Sequence, residues 1–352
     1  MVKTMTSSYI EDEQYLSSSR HYAQENIDKL GQPAIETFKG IIKKYTRFQL
    51  SFIMLFAIEC LVLLLFFTFL AKTSLLATGI ALTVLTFFSY IIAKAYINSK
   101  KPHQFSALKD ELINASKKIL NYQEGRSDHH LAIAKASCDF GAALKDCEYN
   151  LWKTPEKLAS FSNAIQKISC WIHSKDVHIM REFLFNAAID EHIKFIKFEP
   201  TNLEAHASLA NTYVLLSGLY SDPRKSQDFD EDLFIPLFKY SEEMKKKFVL
   251  SAERAMEEFK ILNDYAPNDP WVHRQLAYSY HDLQMPLEEI KEYETILKIC
   301  PGDNETLFNL GVLYFEQGFN AKGLQVYEEL KRVHYKKAED LISFYGSYNP
   351  ES

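Results

Sequence analysis

Residues 270–335 read PWVHRQLAYSYHDLQMPLEEIKEYETILKICPGDNETLFNLGVLYFEQGFNAKGLQVYEELKRVHY, and this stretch decides the fold. Leu276, Ala277, Tyr280 and Tyr293 recur as Leu310, Gly311, Tyr314 and Tyr327, and the interval is 34 residues each time. A large residue, a small one and an aromatic share one face of a first helix, and a second helix packs an aromatic against it. The small residue lets the two helices approach closely, and the next repeat covers the apolar face that remains.

This pattern resembles the tetratricopeptide repeat. In the last unit, Leu307, Leu310, Gly311, Tyr314, Gly318 and Tyr327 stand where the family has its signature. Gly323 replaces the usual alanine and Tyr335 the terminal proline. In the preceding unit Leu276, Ala277, Tyr280, Tyr293 and Pro301 fit, while Glu289 takes the place of the small alanine. An upstream unit is split. Its first helix carries Leu209, Ala210 and Tyr213, and its second carries Ala255, Phe259, Leu262 and Pro267. Its small residues, 210 and 255, are 45 apart against the usual 12, which implies a 33-residue insert near residues 219–247. A fourth, degenerate unit precedes it, with Ala188 and Pro200 in second-helix positions. The resemblance covers residues 156–335, and residues 336–352 supply a polar capping helix and tail.

The resemblance implies a concave groove lined by first-helix residues that binds another protein or a peptide segment. Carried over one by one, the groove positions are Trp271, Arg274, Gln275, Tyr278, His281 and Asp282 in one unit. Phe308, Asn309, Val312 and Phe315 follow in the next, and Ser208, Asn211 and Val214 belong to the split unit. The family's clamp for chaperone tails needs several basic groove residues. Here only Asn211 fits that set, beside Ala207 and Glu305, so a carboxylate-tail specificity is not expected. Aromatics with few charges suit an amphipathic helix or an extended peptide.

Two apolar runs lie upstream. Leu50 to Ala71, LSFIMLFAIECLVLLLFFTFLA, holds one charge, Glu59; Leu75 to Ala93, LLATGIALTVLTFFSYIIA, holds none. At ~1.5 Å per residue each spans roughly 30 Å, the thickness of a bilayer core, and apolar residues cover every face. The expectation is a transmembrane hairpin over residues 48–98, not a cleaved signal peptide. Lys39, Lys43, Lys44 and Arg47 precede it, Lys94, Lys100 and Lys101 follow it, and only Lys72 lies in the turn. That asymmetry puts both termini on the cytoplasmic side. An intramembrane carboxyl is costly, so Glu59 either serves an oligomer contact or proton site, or is a neutral acid bonded to Thr83 or Thr86.

The flanks are less informative. Residues 1–47 form an N-terminal segment whose Ser/Thr-rich first 20 residues read as disordered. A helix over 21–47 is expected to break near Gly31, Gln32 and Pro33. Residues 99–155 read as a connector of antiparallel helices. One of these is capped by Ser127 or Asp128, and another starts at Pro155.

The chain is 352 residues long, with 11 glycines and 11 prolines, so turns are few and the fold class is all-α. A net charge of −6 and the lack of a basic run with aromatics exclude a nucleic-acid partner. Five cysteines without a CxxC pair read as reduced thiols. His129 and His130 are adjacent and read as solvated. Asp228, Asp230 and Asp232 imitate a calcium loop, but Leu233 and Lys239 occupy its glycine and glutamate positions. No catalytic motif, cofactor fingerprint or metal set is found, so no enzyme and no cofactor are expected. The composite reading is a membrane-anchored adaptor on a lipid bilayer, of undetermined oligomeric state. Two alternatives accompany it. One is a type III secreted effector in a host-derived inclusion membrane, since the layout is similar to inclusion-membrane proteins of intracellular bacteria. The other is a non-catalytic or proton-linked subunit of a membrane complex that uses Glu59.

Overall fold

The computed structural model describes residues 3–123, 126–152, 161–225 and 234–347, with residues 3–28 and 225 given by backbone course alone. Among the described residues the chain is helical and has no strand. The helices are α1 Lys3–Leu65, α2 Phe67–Leu70, α3 Leu75–Ile119, α4 Ser127–Ala143, α5 Ser162–Phe198, α6 Leu203–Tyr220 and α7 Glu242–Tyr265. Then come α8 Pro270–Asp282, α9 Pro286–Ile299, α10 Asn304–Glu316, α11 Asn320–Arg332 and the short α12 Ala338–Leu341. Two compact units result: Met1–Glu191 with Ser226–Leu237, and His192–Lys225 with Phe238–Ser352.

In the first unit α1 and α3 are single helices that carry the two apolar runs and continue well beyond them. The first run bends at Phe66, and residues 71–74 make the turn. The apolar stretches are unburied in both helices, with Leu64 74% and Ile92 69% exposed. Thr86 Oγ1 donates to Glu59 Oε1 across the hairpin at 2.9 Å, which selects Thr86 from the two alternatives, while Thr83 donates to Gly79 O on its own helix. Away from the apolar runs, Phe38, Ile42, Phe105, Leu108, Phe140, Leu144, Val177 and Met180 form a buried core among α1, α3, α4 and α5. The Phe38 and Phe105 rings lie 5.2 Å apart.

Four expectations for this unit need correction. Residues 3–20 are placed in α1 instead of outside any element. Extending a formed helix avoids the nucleation cost, and Ser and Thr disfavour it by only a few tenths of a kcal/mol each. The helix also runs through Pro33 without a break. Its turn is held by Ala34, Ile35 and Phe38 in the core, and tertiary packing outweighs the local penalty. The cap of α4 falls on Arg126, with no side-chain cap bond, and Arg126 instead grips Asp128 through two nitrogens. His129 and His130 are both buried. His130 Nδ1 meets Glu191 Oε2 at 2.6 Å, and His129 Nδ1 accepts the Gln123 N–H. Adjacent helix positions point about 100° apart, which is narrow enough for both rings to face a wide buried surface. Burial pushes the His129 pKa down.

The second unit stacks antiparallel helix pairs, α6/α7, α8/α9 and α10/α11, followed by α12. Asn202, Ser241, Asp269 and Asp303 cap α6, α7, α8 and α10 by accepting backbone N–H bonds, and Pro270 and Pro286 sit in first turns. Leu276, Tyr280, Leu310, Tyr314 and the second-helix Tyr293 are buried as the period requires. Two of the pairs share a latch. Both ring nitrogens of His273 face acceptors, Glu292 Oε2 at 2.6 Å and Pro267 O at 2.9 Å. His206 does the same with Glu258 and Pro200 at the same distances. The histidine-to-glutamate interval is 19 in one and 52 in the other, which recovers the 33-residue insert independently. The insert is partly absorbed by longer helices, 18 residues in α6 and 24 in α7 against 13 or 14 in α8 to α11.

The fourth helix pair expected from residue 156 is not formed within the described residues: residues 162–198 are one 37-residue helix, and Pro155 lies outside the described residues. No glycine and no proline interrupts that stretch, so nothing in it ends a helix. The expected cap is also short, since α12 has four residues followed by one turn of 3-10 helix. The Asp228, Asp230, Asp232 and Leu233 cluster likewise lies outside the described residues.

The turns inside two pairs differ in one respect. Gly318 follows α10 at φ 76°, whereas Gln284, 34 residues earlier, takes φ 57° without being glycine. Both turns close with the same backbone bonds, Phe319 N–H to Tyr314 O and Met285 N–H to Tyr280 O. A side chain in left-handed backbone costs about 1–2 kcal/mol, offset in part when glycine loosens the unfolded chain. Gln284→Gly should therefore raise unfolding stability in urea by about 0.5–1 kcal/mol, and Gly318→Ala should lower it by a similar amount. No gain, or a loss, on Gln284→Gly would show that the Gln284 turn is unstrained.

Candidate partner-binding face

The outward positions of α6, α8 and α10 recur in register. Ser208, Gln275 and Asn309 are equivalent, as are Asn211, Tyr278 and Val312, and as are Val214, His281 and Phe315. Asn211, Val214, Tyr278 and Asn309 are exposed, and Gln275, Phe308 and Val312 are half-buried. Tyr278 is the most open aromatic of the set at 50% exposure. Trp271, at 40%, rests one edge on Phe259, with the rings 6.0 Å apart and nearly perpendicular.

Arg274 is not a free groove cation. Its Nη2 donates to Asp303 Oδ2 at 2.8 Å, which ties α8 to the cap of α10. Asp303 also accepts the Thr306 N–H and hydroxyl. Burial acts to raise the Asp303 pKa, but the Thr306 bonds and the Arg274 charge outweigh it and hold the carboxyl below the usual range. Phe308 turns toward Tyr335, with ring centroids 6.3 Å apart.

Phe315 is a correction. It is fully buried and is withdrawn from the groove set. A Cβ built on Gly323 would meet the Phe315 ring at 2.5 Å, and Tyr345 stacks on its edge at 5.7 Å. The ring fills the volume that a methyl at position 323 would take, so the glycine there and the burial of Phe315 are one fact. The preceding pair has a hydrogen-bonded polar pair at the same positions, Glu289 buried and His281 open to solvent. His281 Nδ1 meets Glu289 Oε2 at 3.3 Å, and Glu289 is buried where the small alanine is expected. The hydrogen bond to Glu289 raises the His281 pKa. Burial raises the nearby Glu316, with Glu289 adding to it and His281 opposing. Both the Phe315–Gly323 and the His281–Glu289 exchange were readable in the sequence as a departure at the small position, matched by an unusual residue eight positions upstream.

Among the described residues no group of three or more His, Cys, Asp or Glu side chains is placed to hold a metal ion. The arrangement is one of two exposed aromatics on α8, flanked by an exposed amide on α6 and another on α10.

No protein-family model matches the chain, and no curated protein does. Among solved structures the chain is similar to the TPR domain of P58(IPK), at 15% identity, covering 86% of this chain and 98% of that one, with a TM-score of 0.20. An overlap that loose carries no weight. The repeat assignment stands on the period, the helix lengths and the buried positions.

The His281–Glu289 pair sets a pH dependence. A raised folded pKa means that the folded state binds the proton more tightly than the unfolded state does. The stabilisation is therefore complete below the unfolded value of about 6.5 and fades as pH rises through the folded pKa. Urea unfolding of the wild type between pH 6 and 9, compared with His281→Gln, should show a decline with pH that the variant lacks. Parallel profiles would show that the pair contributes nothing.

Proposed function

We propose that this protein is a membrane-anchored adaptor. The hairpin holds the chain in a bilayer with both termini on the cytoplasmic side, and the first-helix face of the repeats binds a segment of a protein partner. The observation that carries the reading is the unburied state of both apolar stretches. Residues such as Leu64, Phe69, Leu85 and Ile92 point outward with nothing against them. Contiguous apolar surface of this extent needs a cover, and two helices of roughly 30 Å fit a bilayer core. The Thr86 bond supports a structural role for Glu59, because a carboxyl given a hydrogen-bond donor across the hairpin is better tolerated inside a membrane.

For the partner, Tyr278 and Trp271 lie at i and i+7 on α8, with Asn211 and Asn309 at outward positions of the flanking first helices. Rigid aromatics beside amides suit a helical or extended peptide, and such aromatics behave as hot spots.

Two measurements test the reading. The protein should resist alkaline extraction from membranes, and a membrane-impermeant thiol label applied to intact cells should miss cysteines placed at positions 20 and 150. Release by alkali, or labelling of either position, overturns the anchor or its orientation. In pull-downs with the full chain, Tyr278→Ala should weaken partner capture by roughly 10- to 100-fold, the equivalent of about 1–3 kcal/mol. Its melting temperature should stay near the wild type. Buried Tyr280→Ala should instead lower stability by roughly 3–5 kcal/mol. Full capture by a normally folded Tyr278→Ala would remove this face from the binding surface.

A further inference from the structure

Helix α5 begins inside out. From Ser169 to Asp176 the buried positions are Ser169, Cys170, His173, Ser174 and Asp176. The opposite face carries Phe161, one residue before the helix, then Ile165, Ile168, Trp171 and Ile172, spaced at three and four. Phe161 is 59%, Ile168 48% and Trp171 69% exposed. A helix of a water-soluble unit shows the reverse distribution. An outward strip with a tryptophan this open calls for a cover.

The same unit shows where the strip lies. Lys101 on α3 is paired with Asp176 on α5 at 2.7 Å, and both side chains are nearly buried. Further along, Glu191 on α5 meets His130, which packs on Tyr122 just past the end of α3. From Asp176 to Glu191, α5 thus runs the same way as α3 does from Lys101 to Tyr122. Traced backwards from Asp176, it heads toward the apolar hairpin. Lys101 stands eight residues, or ~12 Å, beyond Ala93, the last residue of the apolar run. Going back the same ~12 Å along α5 reaches Ile168, with Trp171 on one side of that level and Phe161 on the other.

We propose that the start of α5 lies against the bilayer, its Phe161–Ile172 strip entering the membrane interface beside the hairpin. This rests on the membrane reading above. Lipid is the occupant because the strip is continuous in level with the apolar hairpin. Tryptophan also favours the headgroup boundary, and Lys175 follows on the same face at the level where a headgroup would meet it. The bilayer then holds the first unit at three points, the two hairpin helices and the start of α5, instead of two.

The test uses tryptophan emission from the full chain in phosphatidylcholine vesicles. Trp152→Phe/Trp271→Phe leaves Trp171 as the reporter. Lipids brominated near the carbonyl end of the acyl chain should quench it about twofold, the depth expected of an interfacial tryptophan, and lipids brominated near the chain end should quench it less. A second variant, Trp152→Phe/Trp171→Phe/Trp271→Phe/Phe67→Trp, reports the hairpin itself. If that hairpin tryptophan is quenched and Trp171 is not, the strip is off the membrane and the inference falls while the anchor stands. A blue-shifted but unquenched Trp171 means that protein covers the strip, which also overturns it. If neither reporter is quenched, the membrane reading fails and this inference with it. Circular dichroism matching the wild type is required of each variant, and Trp171→Phe/Trp271→Phe, which leaves the core-facing Trp152, should show no quenching.

Discussion

The repeat unit depends on how much room is left where the first helix of a pair ends and the second begins. Gly311 marks one close approach. A Cβ there would already meet Leu341 and Val326 at 2.8 Å. Near that crossing, space for one sizeable group is shared between two positions. In the last pair Phe315 takes it and Gly323 yields; in the middle pair Glu289 intrudes and His281 answers with a hydrogen bond. The split pair has Val214 and Ala255 at these positions, a medium side chain beside a small one. A packed interior tolerates neither overlap nor a void, so a departure at one position forces a change at the other.

That constraint explains what the sequence made legible. The 34-residue period, the small residues and the buried tyrosines follow from packing that every pair must satisfy, so they repeat and can be counted. The insert was legible for the same reason, because it displaced one such position by 33 residues. Phe315 was misread because its register, taken alone, is that of a groove residue. Only the last first helix is covered by the turn carrying Tyr345, and a periodic reading has no term for where the stack ends. The His273 and His206 latches were missed for a different reason. They recur in only two pairs, and the third has Leu307 there.

The first unit was less legible because it has no repeat. His129 and His130 were judged by adjacency, yet α4 is embedded between the end of α3 and α5, so two neighbouring positions both face inward. Pro33 carries a local penalty, yet the core residues Ala34, Ile35 and Phe38 hold the helix just beyond it. In each case tertiary contacts outweighed a propensity worth about 1–3 kcal/mol. The apolar runs, by contrast, were plain in the sequence, because a bilayer-length segment without charge has few alternative structures.

The buried Lys101–Asp176 pair links these observations. Burial raises the Asp176 pKa against the pull of Lys101, so removing the two charges from water consumes much of what their attraction returns. Such a pair is a poor source of stability and a good source of register. Losing either partner strands a charge, whereas sliding α5 by one turn along α3 would strand both. The pair fixes α5 against a helix that runs without interruption into the apolar hairpin, and α1 packs on the same core. Both α1 and α3 therefore run unbroken from that core into the apolar runs, and no loop separates the two.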